Sequence, residues 1–128
     1  MKESKITVIK VEPQKHPEIV TIDNDLDSLQ KAVSIGADHQ GLIELILLDD
    51  NALILCNEEA KLIGLEPNRR IGRDIICGTF YVVSEDYEGN LASLSPTMQD
   101  RYQRMFWDVE DFSKEDLDVI PLCTFFPL

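Results

Sequence analysis

Side chains able to bind a ligand are concentrated in two short polar groups between apolar runs of the sequence. These groups are Asn57, Glu58 and Glu59, and Asn68, Arg69 and Arg70. An arginine guanidinium is a planar fork of N–H donors that binds carboxylate or phosphate through two parallel hydrogen bonds. If both groups meet at one end of a sheet, they form a polar recognition site for a partner or a small ligand.

The same residues also have a purely structural interpretation. Asn57 is a typical N-cap for a short helix over EEAKLI, with two Glu residues in the first turn, where the helix dipole favours negative charge. Gly64 is suited to end that helix, and the Pro-Asn pair at 67–68 is typical of a turn. Residue types and spacing leave both interpretations open.

Signatures of catalysis and of metal binding are absent from the sequence. His16 and His39 lie in apparent loops without a second ligand at metal spacing. There is no G-x-S-x-G or phosphate-loop motif, and EDYEGN at 85–90 lacks the acid spacing of a calcium loop. Cys56, Cys77 and Cys123 have unrelated spacings, as expected of reduced packing thiols. We therefore expect no metal, no cofactor and no enzyme activity.

Hydrophobic patterning predicts the strands that would position these groups. KITVIKV and IVTI form a hairpin, and LIELILL and ALILC flank an Asp-Asp-Asn turn. IICGTFYVV is almost continuously apolar, which is typical of one strand buried in the middle of a sheet.

Two main helices complete the predicted fold. DLDSLQKAV begins at an Asp23 or Asp25 cap and ends by Gly36, and SPTMQDRYQRMF begins with Ser95 as N-cap. Without alternating βαβ units, the class is α+β, one domain with a mixed or largely antiparallel sheet and the helices packed on it. We assign residues 1–106 to the core and 107–128 to an acidic, then apolar, C-terminal extension of the same domain.

The amino-acid composition indicates which classes of partner the protein can bind. The 128 residues include 24 acids against 12 bases, a net charge of −12, and residues 74–128 carry 11 acids against 3 bases. Such a field repels phosphate backbones, so we expect no direct nucleic-acid binding. It attracts a basic partner, or else it only keeps a small protein soluble and selects no partner. The sequence has no apolar stretch of membrane-spanning length, and we expect a cytoplasmic protein without membrane contact.

Four blocks of the sequence follow one another in a distinctive order and spacing: VEPQKHPEIVTIDNDLDSLQKAV, ALILCNEEAKLIGLEPNRRI, DIICGTFYVV and LASLSPTMQDRYQRMF. They resemble the domain-of-unknown-function family 3846 of phages, plasmids and other mobile elements, mainly of Firmicutes. The resemblance covers residues 5 to about 106. It implies a small protein carried by mobile DNA in a bacterial host cell, with no assigned activity. The sequence departs from the family after Arg70, where only IGRD replaces a longer acidic excursion.

The C-terminal extension offers a second candidate surface, made of acidic side chains. They are Asp108, Glu110, Asp111, Glu115, Asp116 and Asp118. The apolar finish VIPLCTFFPL either packs back on the domain or adds to a neighbour's sheet edge, which would give a homodimer.

These observations lead to three functional hypotheses. The first is a non-catalytic interaction protein that modulates a host defence or nucleic-acid-processing protein, including by acidic mimicry of DNA. The alternative is a small-ligand or nucleotide-binding module that uses Asn57, Asn68, Arg69 and Arg70. An enzyme of unrecognised type ranks last.

Overall fold

The computed structural model describes residues 3–113 and 115–116. Its elements follow one another as β1 (Lys5–Val11), β2 (Glu18–Asp23), α1 (Leu26–Ala32), β3 (Ile43–Asp49), β4 (Ala52–Asn57), β5 (Pro67–Ile71), β6 (Asp74–Cys77), β7 (Phe80–Glu85), β8 (Leu91–Ala92) and α2 (Pro96–Met105). Helices and mostly antiparallel strands in one compact unit confirm the predicted α+β class.

The main sheet has the strand order β2-β1-β7-β4-β3, with β8 added to β7. All the strand pairs among the described residues are antiparallel. The predicted hairpins β1–β2 and β3–β4 are confirmed. Strands β5 and β6 form a separate two-stranded sheet.

The central strands are apolar on both faces because each face is covered by its own core. In β4, Ile54 and Cys56 belong to the core that contains Tyr102 of α2, whereas Leu53 and Leu55 belong to the core that contains Leu29 of α1. Alternating side chains of one strand therefore hold both helices on opposite faces of the sheet.

Both helices begin as predicted. The carboxylate of Asp25 accepts from the backbone N–H of Ser28 at 2.8 Å, and Ser95 caps α2, with Pro96 in the first turn. Helix α1 ends at Ala32, before the predicted stop at Gly36.

Three local predictions are wrong. The short helix over EEAKLI is instead a series of turns, because the Asn57 side chain accepts from Glu59 N at 2.8 Å and reverses the chain directly after β4. The Pro-Asn turn at 67–68 is the start of β5. The run IICGTFYVV is divided at Gly78 into β6 and β7, which belong to different sheets.

Gly78 is the bend that separates the two sheets. It has φ +76°, in the left-handed region, and its N–H donates to the carbonyl of Glu66 at 2.7 Å. A Cβ there would lie 2.8 Å from Cδ1 of Leu65. Gly72, in the β5–β6 turn, also has a positive φ, 61°, but no atom lies within 4 Å of an added Cβ.

This contrast predicts different costs for two matched substitutions. Gly72→Ala is expected to lower the free energy of unfolding by about 1 kcal/mol, through backbone strain alone. Gly78→Ala is expected to cost roughly a further 1–3 kcal/mol, because the new methyl also displaces Leu65. Urea unfolding of both variants measures the difference, and equal losses would contradict the crowding at Gly78.

Candidate functional site

Asn57 is buried between α1 and the loop that leads to β3. Its side chain is 4% exposed, and its amide Nδ2 lies 3.4 Å from Oγ of Ser34. A Cβ added to Gly41 would lie 2.8 Å from the same Nδ2 atom. Its Oδ1 accepts from the backbone of Glu59. Asn57 therefore closes the turn after β4 and packs against the residues before β3.

Asn68 and Arg69 are buried on β5, each with 1% exposure. The amide of Asn68 donates to the carbonyls of Val11 and Gly78, at 2.9 and 2.8 Å. It thereby joins the end of β1 to the bend between the two sheets.

The guanidinium of Arg69 donates five hydrogen bonds to protein oxygens, as many as it has N–H groups. Nε and Nη2 both reach the carbonyl of Phe106, at 3.1 and 3.0 Å, and Nη2 also reaches the carbonyl of Lys15 at 2.7 Å. Nη1 reaches the main-chain oxygen and Oδ1 of Asn68, at 3.2 and 2.8 Å. In this arrangement the guanidinium binds oxygens of its own protein chain.

Burial and the end of a helix shape the electrostatics around Arg69. Burial lowers the pKa of the guanidinium, and the charges of Glu110 and Asp108 oppose that shift. Phe106 is the C-cap of α2, so the cation lies where the helix dipole is negative. A charge that carbonyls and a helix end stabilise in this way is a structural element of the fold.

Arg70 projects to the other side of β5 and meets the C-terminal extension. Its Nη2 lies 3.3 Å from Oδ1 of Asp116, its backbone N–H donates to Oε2 of Glu110 at 2.9 Å, and its guanidinium carbon lies 5.8 Å from the centre of the Phe112 ring. Gln14 binds the same segment through the carbonyl of Glu110. The described part of the extension is therefore attached to the domain.

The predicted acidic surface is divided by these contacts. Glu110, Asp111 and Asp116 accept hydrogen bonds from Arg70, Gln14 or Ser113. Asp108 and Glu115 are exposed. Asp118, and the apolar finish with its predicted homodimer contact, lie outside the described residues.

The two polar groups of the sequence do not share hydrogen-bond partners. Asn57 contacts Ser34 and Glu59, whereas Asn68 and Arg69 contact β1, the β1–β2 loop and the end of α2. Glu58 is exposed and Glu59 is half-buried. That all six residues form one binding site stays a prediction, and these contacts give it no support.

A cleft of about 270 Å³ lies between the edge of the main sheet and the β5–β6 hairpin. Its lining includes Asn57, Cys56 and Cys77 and the ion pair of Lys61 with Asp74. Burial raises the pKa of the Cys56 thiol to about 12 and also raises the pKa of Cys77. Both thiols are therefore protonated at neutral pH and poorly nucleophilic.

Two hairpin turns that carry acidic residues are neighbours at one end of the main sheet. The N–H of Glu85 donates to the carbonyl of Asn51 at 3.0 Å, which joins the β3–β4 turn to the start of the β7–β8 turn. We call this surface the acidic end, and its members are Asp49, Asp50, Glu85, Asp86, Glu88 and Tyr87.

Tyr87 stands at the tip of the acidic end with 98% of its surface exposed. The turn beneath it is fixed, because Oδ1 of Asp86 accepts from the N–H of Glu88 and of Asn90, each at 2.9 Å. In the sequence, EDYEGN resembles only an imperfect calcium loop, and no local pattern indicates that it forms this surface. The pairing of β4 with β7 that brings Asp50 close is a contact between distant segments.

Most basic side chains of the described residues are already paired with acids. Ion pairs involve Lys5, Lys10, Lys15, Lys31, Lys61, Arg70, Arg101 and Arg104. At the acidic end, Arg101 lies 3.6 Å from Asp49. Because acids outnumber these bases, the surface keeps a net negative charge.

A family model described as a domain of unknown function (DUF3846) matches residues 6–107. The chain belongs to the DUF3846 family. The match includes both polar groups, the acidic end and α2, and it ends where the acidic extension begins. No curated protein and no solved structure matches this DUF3846 member.

The described residues contain neither a cluster of metal-binding side chains nor a membrane-spanning helix. No three His, Cys, Asp or Glu side chains are grouped so that they could hold a metal ion, within residues 3–113 and 115–116. In the same part of this DUF3846 chain, no helix is both long and apolar enough to cross a bilayer.

Arg69 and Arg70 provide a matched pair for testing the structural assignment. Arg69→Ala is expected to lower the free energy of unfolding by about 3 kcal/mol or more, because it removes the donors that reach the buried carbonyl of Phe106 and the partly buried carbonyl of Lys15. Arg70→Ala removes an ion pair that is about 40% exposed and is expected to cost at most about 1 kcal/mol. Chemical denaturation measures both, and equal effects would refute the assignment.

The turn below Tyr87 predicts a dependence on pH. Backbone hydrogen bonds from Asn90 and Glu88 hold the pKa of Asp86 below its ordinary value of 3.8. Its contribution to stability is therefore complete above that value and is lost as the pH falls through the lower folded pKa. Asp86→Asn should be less stable than the parent at neutral pH, and the difference should shrink below about pH 4. Thermal unfolding between pH 7 and 3 measures it, and a constant difference would contradict the prediction.

Proposed function

We propose that this DUF3846 member is a non-catalytic interaction protein that binds a basic partner protein through its acidic end. The observation that carries the proposal is the exposed ring of Tyr87, held on a fixed turn of one acidic hairpin whose neighbouring hairpin turn is also acidic. Such a surface combines an aromatic anchor with charges that select and steer a partner.

An aromatic side chain on a fixed turn loses little conformational freedom on binding. Tyrosine is enriched among the residues that dominate interface energies, and its ring is amphipathic. Fixing the backbone beforehand reduces the entropy cost of association, which the bonds of Asp86 to its own turn would do here. The ring supplies contact area, and the turn supplies its orientation.

The surrounding carboxylates favour a basic partner over nucleic acid. With a net charge of −12, the chain repels phosphate and attracts lysine- and arginine-rich surfaces. Proteins that process nucleic acids carry such surfaces, so carboxylates that imitate phosphates are one form of the proposal. The resemblance to proteins of mobile elements extends it to a host protein in the bacterial cytoplasm, which this chain would inhibit or modulate.

A ligand-binding module on Asn57, Asn68, Arg69 and Arg70 has less physical support. The guanidinium of Arg69 would have to release the carbonyls of Phe106 and Lys15 before it could bind a phosphate. Arg70 would have to exchange Asp116 for the ligand. The first exchange would leave the buried carbonyl of Phe106 without these donors, at a cost of about 1–3 kcal/mol.

A triple variant tests the proposed surface. Asp50→Asn, Glu85→Gln and Tyr87→Ala remove two charges and the aromatic ring, and they leave the turn-forming Asp86 intact. The tagged parent chain is used to capture its partner from host lysate, and the affinity of the purified partner is then measured at about 50 and 300 mM salt. We expect the parent to lose affinity as salt rises and the triple variant to bind at least about tenfold more weakly.

The matched control is Glu18→Gln, Glu66→Gln and Leu62→Ala. These side chains are exposed and lie outside the acidic end, so the control has the same net charge as the test variant. It should bind like the parent. Equal weakening of both triple variants would mean that only net charge matters and would refute the acidic end as the binding surface.

A further inference from the structure

Strand β3 is an edge of the main sheet that offers an apolar stripe. Within the described part of the chain, β3 pairs with β4 on one side and with no strand on the other. Leu45 and Leu47 are 46% and 72% exposed, and Leu42, just before the strand, is 55% exposed.

The exposed leucines continue the core of the α1 face. Leu45 pairs with Leu55 and Leu47 with Leu53, so they share a sheet face with two buried members of that core. Helix α1 packs beside β2, at the opposite edge of the sheet. The apolar surface at β3 is thus the part of this face that lies farthest from the helix.

β3 also lacks most of the features that keep sheet edges from pairing. Proteins block edges with lysine, proline, inward-pointing charges or bulges. Residues 42–48 contain no proline and no basic residue, and Glu44 is their one charged side chain. The ladder with β4 is regular from Ile43 to Leu47, and the irregularity comes only after Leu47.

We propose that two copies of this chain form a symmetric dimer by antiparallel pairing of their β3 strands, with the two-fold axis at Leu45. This register places Leu45 opposite Leu45 of the second copy and Ile43 opposite Leu47. On the other face, Glu44 lies opposite Ile46. The seam lies in the regular part of the strand and opposes no like charges.

The neighbouring registers are less favourable. An axis at Glu44 would place the two Glu44 carboxylates directly opposite each other, and like charges in that position destabilise a sheet. An axis at Ile46 would place Ile43 opposite Asp49 and would extend the seam into the irregular end of the strand. Of these three registers, only the axis at Leu45 both opposes no like charges and keeps the seam within the regular ladder from Ile43 to Leu47.

Charge makes this dimer distinguishable from the binding of a basic partner. Two chains of net charge −12 repel each other, so screening by salt should strengthen a seam made of apolar side chains and backbone hydrogen bonds. Binding of a basic protein at the acidic end should weaken under the same change. The dimer does not depend on the proposed function. Because the two interactions are expected to respond to salt in opposite directions, each proposal can be refuted without the other.

Sedimentation equilibrium of the full chain tests the dimer, at about 50 and 500 mM salt. We expect a dimer whose dissociation constant falls as salt rises. Leu47→Lys should raise that constant about tenfold or more, because it places charges beside Ile43 of the second copy. The matched control is Leu62→Lys, which adds the same charge at a 64% exposed leucine outside β3 and should leave the constant unchanged.

A second variant tests the dimer even if the Leu47→Lys chain does not fold. Leu45→Cys places two thiols on the two-fold axis, and mild oxidation should give a covalent dimer that the unmodified chain, with its native cysteines, does not form. A monomer at all concentrations and salts would overturn the proposal, as would a dimer that tolerates Leu47→Lys and does not cross-link. A chain that dimerises only after removal of residues 117–128 would also overturn it, because the chain itself would then prevent the pairing.

Discussion

The fold depends on the burial of one guanidinium. Arg69 joins β5 to the β1–β2 loop through Lys15 and to the end of α2 through Phe106, so three distant segments converge on one side chain. A buried cation is costly unless its hydrogen bonds are complete, and here neutral oxygens complete them. The β5–β6 hairpin packs Ile76 into the core of the α2 face and Ile75 into a small separate core with Leu65, and the bonds of Arg69 attach it further to the main domain.

Burial of Arg69 removes one basic side chain from an already acidic surface. One arginine is used inside the fold, and most other basic side chains of the described residues are paired with carboxylates. The paired bases are themselves largely exposed, so the negative charge of the surface reflects the excess of acids over bases in the sequence. Self-repulsion of that charge is tolerated by a core that covers both faces of the sheet.

Local patterns in the sequence predicted the main strands and helices but not the burial of the polar groups. Strand alternation and the caps Asp25 and Ser95 identified both hairpins and both helices, because these signals act over a few residues. The sequence gives Asn68 and Arg69 the appearance of a turn and a surface charge. Their burial depends on contacts with Val11 and Phe106, at separations of 57 and 37 residues, which no local pattern encodes.

At Gly78 a local pattern also fails, here because it predicts one strand where the chain forms two. The apolar run around it is typical of one buried strand, and hydrophobicity cannot distinguish one strand from two that lie in different sheets. The distinguishing feature is a backbone at φ +76° that approaches Leu65, which glycine alone accommodates without strain. The acidic end was missed for a related reason, because its two turns are neighbours only through the pairing of β4 with β7.

The two proposed surfaces are compatible because of the direction of β3. The strand ends at the acidic end, four residues from the proposed axis at Leu45, so antiparallel pairing sends the two acidic ends in opposite directions. At about 3.3 Å per residue, the two Asp49 residues would be separated by roughly 25 Å along the seam. That exceeds the Debye length of about 8 Å at physiological salt, so their mutual repulsion is largely screened. Such a dimer would present two well-separated acidic surfaces, and a partner with two suitably spaced basic sites would bind both with a gain in avidity.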